Sequence, residues 1–123
     1  MDQITRERHV ERFAGDEYYI AMYDGLCGEV ERRGELTSAA QGIVADICYL
    51  EQTKALLIAD INERGVNKMS YNGRQHYLQA NRSVGAYKTV CEQQRKLYSE
   101  LRLTPASSGI KQADVMLDEF NQF

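Results

Sequence analysis

The chain has 123 residues, 43% of them apolar, with one proline, nine glycines and a net charge of −3. That size and mix fit one domain with a modest buried core, and they exclude a loop-rich or low-complexity chain. No apolar run approaches the ~18 residues of a membrane span, and the opening MDQITRERHV is too charged for a signal peptide, so a cytoplasmic protein with no membrane partner is expected.

Residues 1–15 form either a separate charged helix or an arm. From Asp16 to Arg33, Tyr19, Met22, Tyr23, Leu26 and Val30 recur at three- and four-residue steps, which is one face of a helix. Asp16 and Glu17 suit its first turn, and Arg32, Arg33 and Gly34 suit its end. Gly25 and Gly28 weaken this helix by about 1 kcal/mol each against alanine, unless they permit a close backbone approach. Thr37 or Ser38 opens a second helix that runs to Gly65, ~40 Å at 1.5 Å per residue. Ile43, Ile47, Leu50, Leu57 and Ile61 make a heptad-like seam along it, with Lys54 in the remaining slot. Those five apolar residues are the candidate oligomerisation surface. Val44, Leu56 and Ile58 widen the stripe, so the helix is expected to pack on two sides.

Between Gly65 and Asn81 the helical period breaks. Asn72-Gly73 is the dipeptide of a type I′ turn, and Met69, Tyr71, His76 and Leu78 around it suggest a short ribbon or an irregular loop. Asn81 or Ser83 then caps a third helix, whose buried side is marked by Val84, Tyr87, Val90, Cys91, Leu97 and Leu101, with Gln94 interrupting. It ends near Arg102–Leu103, because the single proline, Pro105, pushes its predecessor out of helical geometry. Thr104 and Pro105 can cap and restart a turn. The expected fold is all-α: a short N-terminal helix, then a long antiparallel helical hairpin with a turn-containing connector. Residues 1–111 form the domain, and 112–123 an acidic, apolar tail.

Charge divides unevenly along this frame. Residues 1–63 carry six basic and thirteen acidic side chains, whereas residues 64–111 carry nine basic ones against Glu92 and Glu100. Either the second half faces an anionic partner, or the halves neutralise each other across a packed or oligomeric interface. On the third helix Lys88, Arg95 and Arg102 recur every seven residues, with Lys96 one position round and Arg82 at the start. Lys68 and Arg74 flank the turn. These seven are either candidate DNA-binding residues, with a spacing that suits phosphates rather than base edges, or an ordinary solvated helical face. Tyr71 and Tyr77 either stack on bases or cover a core edge.

The order of features resembles the all-helical tailed-phage terminase small subunits. The matching pieces are the run from Tyr49 to Gly65, the connector with Asn72-Gly73, Asn81 before the next helix, and the junction LYSELRLTPASS. Arg102 stands where that pattern usually has glycine, Arg82 where a proline commonly follows the asparagine, and Ser108-Gly109 where an arginine is usual. The resemblance implies a ring of about eight or more copies, in which weak contacts multiply. It also implies binding of double-stranded viral DNA, regulation of the large terminase subunit, and no catalytic centre. The alternative is a helical oligomeric scaffold or adaptor of phage assembly that binds only protein.

Enzyme signatures are absent: there is no phosphate-binding glycine loop, no H-E-x-x-H, no G-x-S-x-G and no metal-ligand spacing. No cofactor or metal is expected. Cys27, Cys48 and Cys91 are odd in number and far apart, which fits reduced core thiols. The tail places Val115, Met116, Leu117, Phe120 and Phe123 among acidic residues, the pattern of a docking peptide for the large subunit.

Overall fold

In the computed structural model, which describes residues 3–72 and 75–104 and, within these, side chains outside 68–79, the helices follow the apolar periodicity closely. Helix α1 spans Gln3–Val10 and leads through a 3-10 turn, Glu11–Phe13, to α2 at Glu17–Arg32. Helix α3 spans Ser38–Arg64, strands β1 and β2 span Asn67–Asn72 and Gln75–Ala80, and α4 spans Arg82–Glu100. Residues 1–15 thus include a helix. Each of the three longer helices starts on a side-chain cap. Asp16 Oδ1 accepts from the Tyr18 N–H at 3.0 Å, Thr37 Oγ1 from that of Ala40 at 3.1 Å, and Asn81 Oδ1 from that of Ser83 at 3.0 Å.

The core lies at one end of α3. Ala40, Val44, Ala45, Ile47 and Cys48 are buried there against Tyr23, Cys27 and Val30 of α2, Phe13 of the 3-10 turn, and Leu101 just beyond α4. Phe13 is fully buried and anchors the N-terminal segment, its ring 6.4 Å from those of Tyr19 and Tyr23. From Tyr49 onward no α3 residue is buried. The distal half of α3 therefore extends beyond the core with α4 alongside.

Polar contacts set the alignment of α3 and α4. Ser83 Oγ and Asn81 Nδ2 donate to Asp60 Oδ2 at 2.6 and 3.2 Å, near the end of α3. Gln94 Nε2 donates to Ile47 O at 3.1 Å and to Glu51 Oε2 at 2.7 Å, a dozen residues earlier on α3. Contacts that move backward along α3 as they move forward along α4 mean the helices run in opposite senses. Gln94 Oε1 also accepts from Lys54 Nζ at 2.9 Å. The residues that interrupt the two apolar seams, Lys54 and Gln94, are therefore partners.

The connector is a two-stranded antiparallel ribbon, one of the two forms expected for this segment, on a body that is all-helical as expected. Asn72 pairs with Gln75. Asn72 of the expected Asn72-Gly73 turn is thus held in the ladder, and residues 73–74 lie outside the described residues. The Asn81 N–H donates to Val66 O at 2.8 Å and closes the ribbon's base.

Both α2 and α4 end in the same motif. Gly34 N–H bonds Glu31 O and Glu35 N–H bonds Val30 O; Arg102 N–H bonds Ser99 O and Leu103 N–H bonds Tyr98 O. These are Schellman caps, whose residue after the helix is left-handed. Gly34 has φ 72° and Arg102 φ 54°. The Arg102 position therefore favours glycine, the residue the resemblance expects there. Gly25 and Gly28 are a different matter: a Cβ at either would meet nothing within 4 Å, so no close approach requires them. Pro105, the junction restart and the tail lie outside the described residues.

Candidate nucleic-acid interface

The basic residues of α4 fall into distinct groups. Arg82, Lys88, Arg95 and Lys96 are exposed, and among the described residues none of them makes an ion pair. Helical rise separates Lys88 from Arg95 by ~10 Å, about three nucleotide steps along one DNA strand. The stripe is less uniform than its spacing suggests, for two reasons.

Lys96 lines a groove of about 390 Å³ between α3 and α4, together with Asp46, Glu100, Tyr49 and Leu50. Asp46 is itself paired with Arg12 at 2.7 Å, but the Glu100 carboxylate leaves Lys96 with an acidic neighbour on its own helix. Arg102 is paired with Glu35. Its carbonyl also accepts from Arg33 Nη1 at 2.8 Å, and Leu101 O accepts from the same nitrogen at 3.3 Å. Arg33 thus lies against the carbonyl end of α4, where a cation is favoured. Together Arg33, Glu35 and Arg102 clamp the end of α2 to the end of α4. Arg64 is likewise committed, to Asp60 at 2.6 Å. Arg74 lies outside the described residues, as do the side chains of Lys68, Tyr71, His76 and Tyr77. Arg82, Lys88 and Arg95 are left as the exposed cations of α4 that neither share a groove with carboxylates nor serve the fold.

The apolar seam of α3 divides in a similar way. Ile47 is fully buried inside the subunit and Ile43 packs against the same core. Leu50 lines the groove, and Leu57 and Ile61 are half-buried. The large apolar side chains of α3 left open to solvent are instead Leu56, 70% exposed, Ile58, 42% exposed, and Tyr49; beyond α3, Val66 and Val84 are exposed as well. Val84, assigned by spacing to the buried side of its helix, is among them.

The thiols are placed to pack rather than react. Burial pushes the Cys48 thiol up to about 12 and raises that of Cys27 as well. Cys91 is half-buried, and all three are free. Burial, then the nearby Arg12, lowers the His9 imidazole below its usual range. Among the described residues no group of three His, Cys, Asp or Glu side chains could hold a metal ion, and no helix is long and apolar enough to cross a membrane.

Spacing alone missed the polar contact of Lys54, Glu51 and Gln94 and the clamp of Arg33, Glu35 and Arg102. The signal for the first was present: two polar interruptions in facing seams. Against known proteins, a family model described as phage terminase, small subunit, matches residues 21–113. No match emerges among curated proteins or solved structures.

Proposed function

The chain belongs to the family of phage terminase small subunits, and from that premise we propose that it is a non-catalytic, ring-forming subunit that binds viral double-stranded DNA and regulates the large ATPase/nuclease subunit in the host cytoplasm. The observation that carries DNA binding is the set of exposed cations of α4 that make no ion pair among the described residues, Arg82, Lys88 and Arg95. A few phosphate contacts per copy bind weakly, and repeating them around a ring of about eight or more copies multiplies the affinity.

Ring formation is supported by the apolar surface of distal α3. Leu56 and Ile58 stand on opposite sides of the half of that helix which has no buried residues, where neighbouring copies on two sides can cover them. In this reading the antiparallel pair of α3 and α4 is the hairpin of the ring subunit. The residues available to a neighbour are Leu56 and Ile58, with Leu57 and Ile61 at their margin. Ile47 is used within the subunit. The tail, residues 112–123, is the segment proposed to dock on the large subunit.

The test is a charge-reversal variant, Lys88→Glu with Arg95→Glu, measured by duplex binding and by light scattering. Affinity for duplex should fall by at least tenfold with particle mass unchanged. Unchanged affinity would favour a protein-binding scaffold, the reading that the exposed Leu56 and Ile58 support equally well.

A further inference from the structure

The groove between α3 and α4 has a lining of mixed character. Its apolar part is Tyr49, 48% exposed, with the half-buried Leu50 and Leu97, and Leu97 packs on the core. Its polar part is Asp46, Gln93, Lys96 and Glu100, all exposed. Arg12 already balances the Asp46 charge. Lys96 and the neighbouring Arg95 make no ion pair among the described residues. The volume of about 390 Å³ lies at the small end of the ~300–1,000 Å³ of ligand pockets. That is room for a few side chains from a short segment.

The course of the chain points to the segment. Glu100 both closes α4 and lines the groove. Leu101 is buried and Leu103 packs on the same core, just before Thr104, the last described residue. A chain as long as residues 105–111 reaches up to ~24 Å. The groove runs only ~10 Å along α4, from Gln93 to Glu100, so the residues that follow can return to it. Those residues, 112–123, carry Val115, Met116, Leu117, Phe120 and Phe123 with Asp114, Asp118 and Glu119. Their apolar content suits Tyr49, Leu50 and Leu97, and their negative charge suits Lys96 and Arg95. Glu100 opposes that charge, whereas Asp46 is neutralised by Arg12.

We propose that residues 112–123 fold back and occupy this groove in their own subunit. Neither DNA binding nor ring formation is needed for this. A short tether sets an effective concentration on the order of millimolar, which favours the chain's own tail over a free competitor. One consequence rests on the docking role proposed above for the tail. A large subunit that takes the tail must first draw it out, so its apparent affinity scales with the fraction of tails that are free. The groove then regulates that encounter.

The experiment uses the full chain with a photo-reactive p-benzoylphenylalanine in place of Tyr49 or, in a second protein, of Gln93. After irradiation, the products are resolved on a denaturing gel and mapped by peptide mass. The cross-link should fall within residues 112–123 and run at monomer mass. Leu117→Asp with Phe120→Asp should cut its yield by about fivefold or more, because charged groups do not enter an apolar lining. Helical content and particle mass should not change. Asp118→Lys with Glu119→Lys should lower the yield as well, and it serves where the first pair disturbs the fold. A tail cross-link at dimer mass would overturn the proposal and give the groove to a neighbour's tail. A dimer cross-link through α3 or α4 would overturn it in favour of a subunit contact. No cross-link to the tail from either position, or a yield that both variant pairs leave unchanged, would also overturn it. Neither DNA nor the large subunit is present in the assay, so its result is independent of how those readings fare.

Discussion

Replacing Gln94 by alanine deletes a side chain that touches three groups of α3 at once. Gln94 is 5% exposed; its amide donates to Ile47 O and Glu51 and accepts from Lys54. Hydrogen bonds to charged partners contribute about 1.5–3 kcal/mol each when one side is removed. Here Lys54 and Glu51 remain bonded to each other at 3.2 Å, with side chains 19% and 32% exposed, so they recover part of that loss. The net cost is about 2–3 kcal/mol, which for a chain of this size lowers Tm by about 10 °C. Thermal and urea unfolding followed by circular dichroism, at fixed protein concentration, reads it directly. Because Lys54 shares the contact, Gln94→Ala combined with Lys54→Met should cost about 1 kcal/mol less than the sum of the single changes. A loss under about 0.5 kcal/mol for Gln94→Ala, or strict additivity, would refute the idea that this contact sets the pairing of α3 and α4.

Gly25→Ala and Gly28→Ala should each stabilise by about 0.5–1 kcal/mol in the same assay, since nothing lies within 4 Å of an added Cβ; destabilisation would reveal a close contact at that face. Arg33→Ala should cost about 1 kcal/mol by releasing the carbonyls of Leu101 and Arg102. Arg102→Gly should be neutral or stabilising by up to about 1 kcal/mol, because relief of the left-handed backbone offsets the lost surface pair with Glu35. The reverse order would contradict the clamp. Burial of His9 favours its neutral form in the fold, so the unfolded chain binds the extra proton first. That contribution is present above the ordinary imidazole value of 6.5 and is lost as pH falls through and below it. His9→Gln should therefore flatten the decline of Tm between about pH 7.5 and 5.5, and an unflattened curve would rule His9 out as its source.

Much of the helical body was legible because its determinants are local. Asp16, Thr37 and Asn81 are cap residues next to periodic apolar runs, and Gly34 and Gly65 end two of those helices at positive φ. The apolar spacing of Tyr23 and Val30 marked the buried face of α2, whereas Ile47, expected at a contact between copies, is buried within the subunit. What failed was the assignment of a whole seam to one destination. Periodicity shows that Ile47 and Leu56 are both apolar on α3, but only tertiary packing shows that α2 ends early enough to bury the first and leave the second exposed. The basic stripe raised the same difficulty. Seven-residue spacing grouped Arg102 with Lys88 and Arg95, yet Arg102 lies past the end of α4 and serves a cap. Phe13 stood alone among charged residues, with no period to mark it as core. The ribbon's register depended on which residue Asn72 faces, and that is set by the ladder rather than by the Asn-Gly dipeptide.

The most direct test of the central claim, that exposed cations of α4 hold DNA phosphates, is the salt dependence of duplex binding. The native chain and a Lys88→Gln, Arg95→Gln variant would be compared at equal particle mass. Each phosphate contact contributes about 0.9 to the slope of log affinity against log salt. The account predicts a slope shallower by about 2 for every copy that engages the duplex. An identical slope in the two proteins would contradict it.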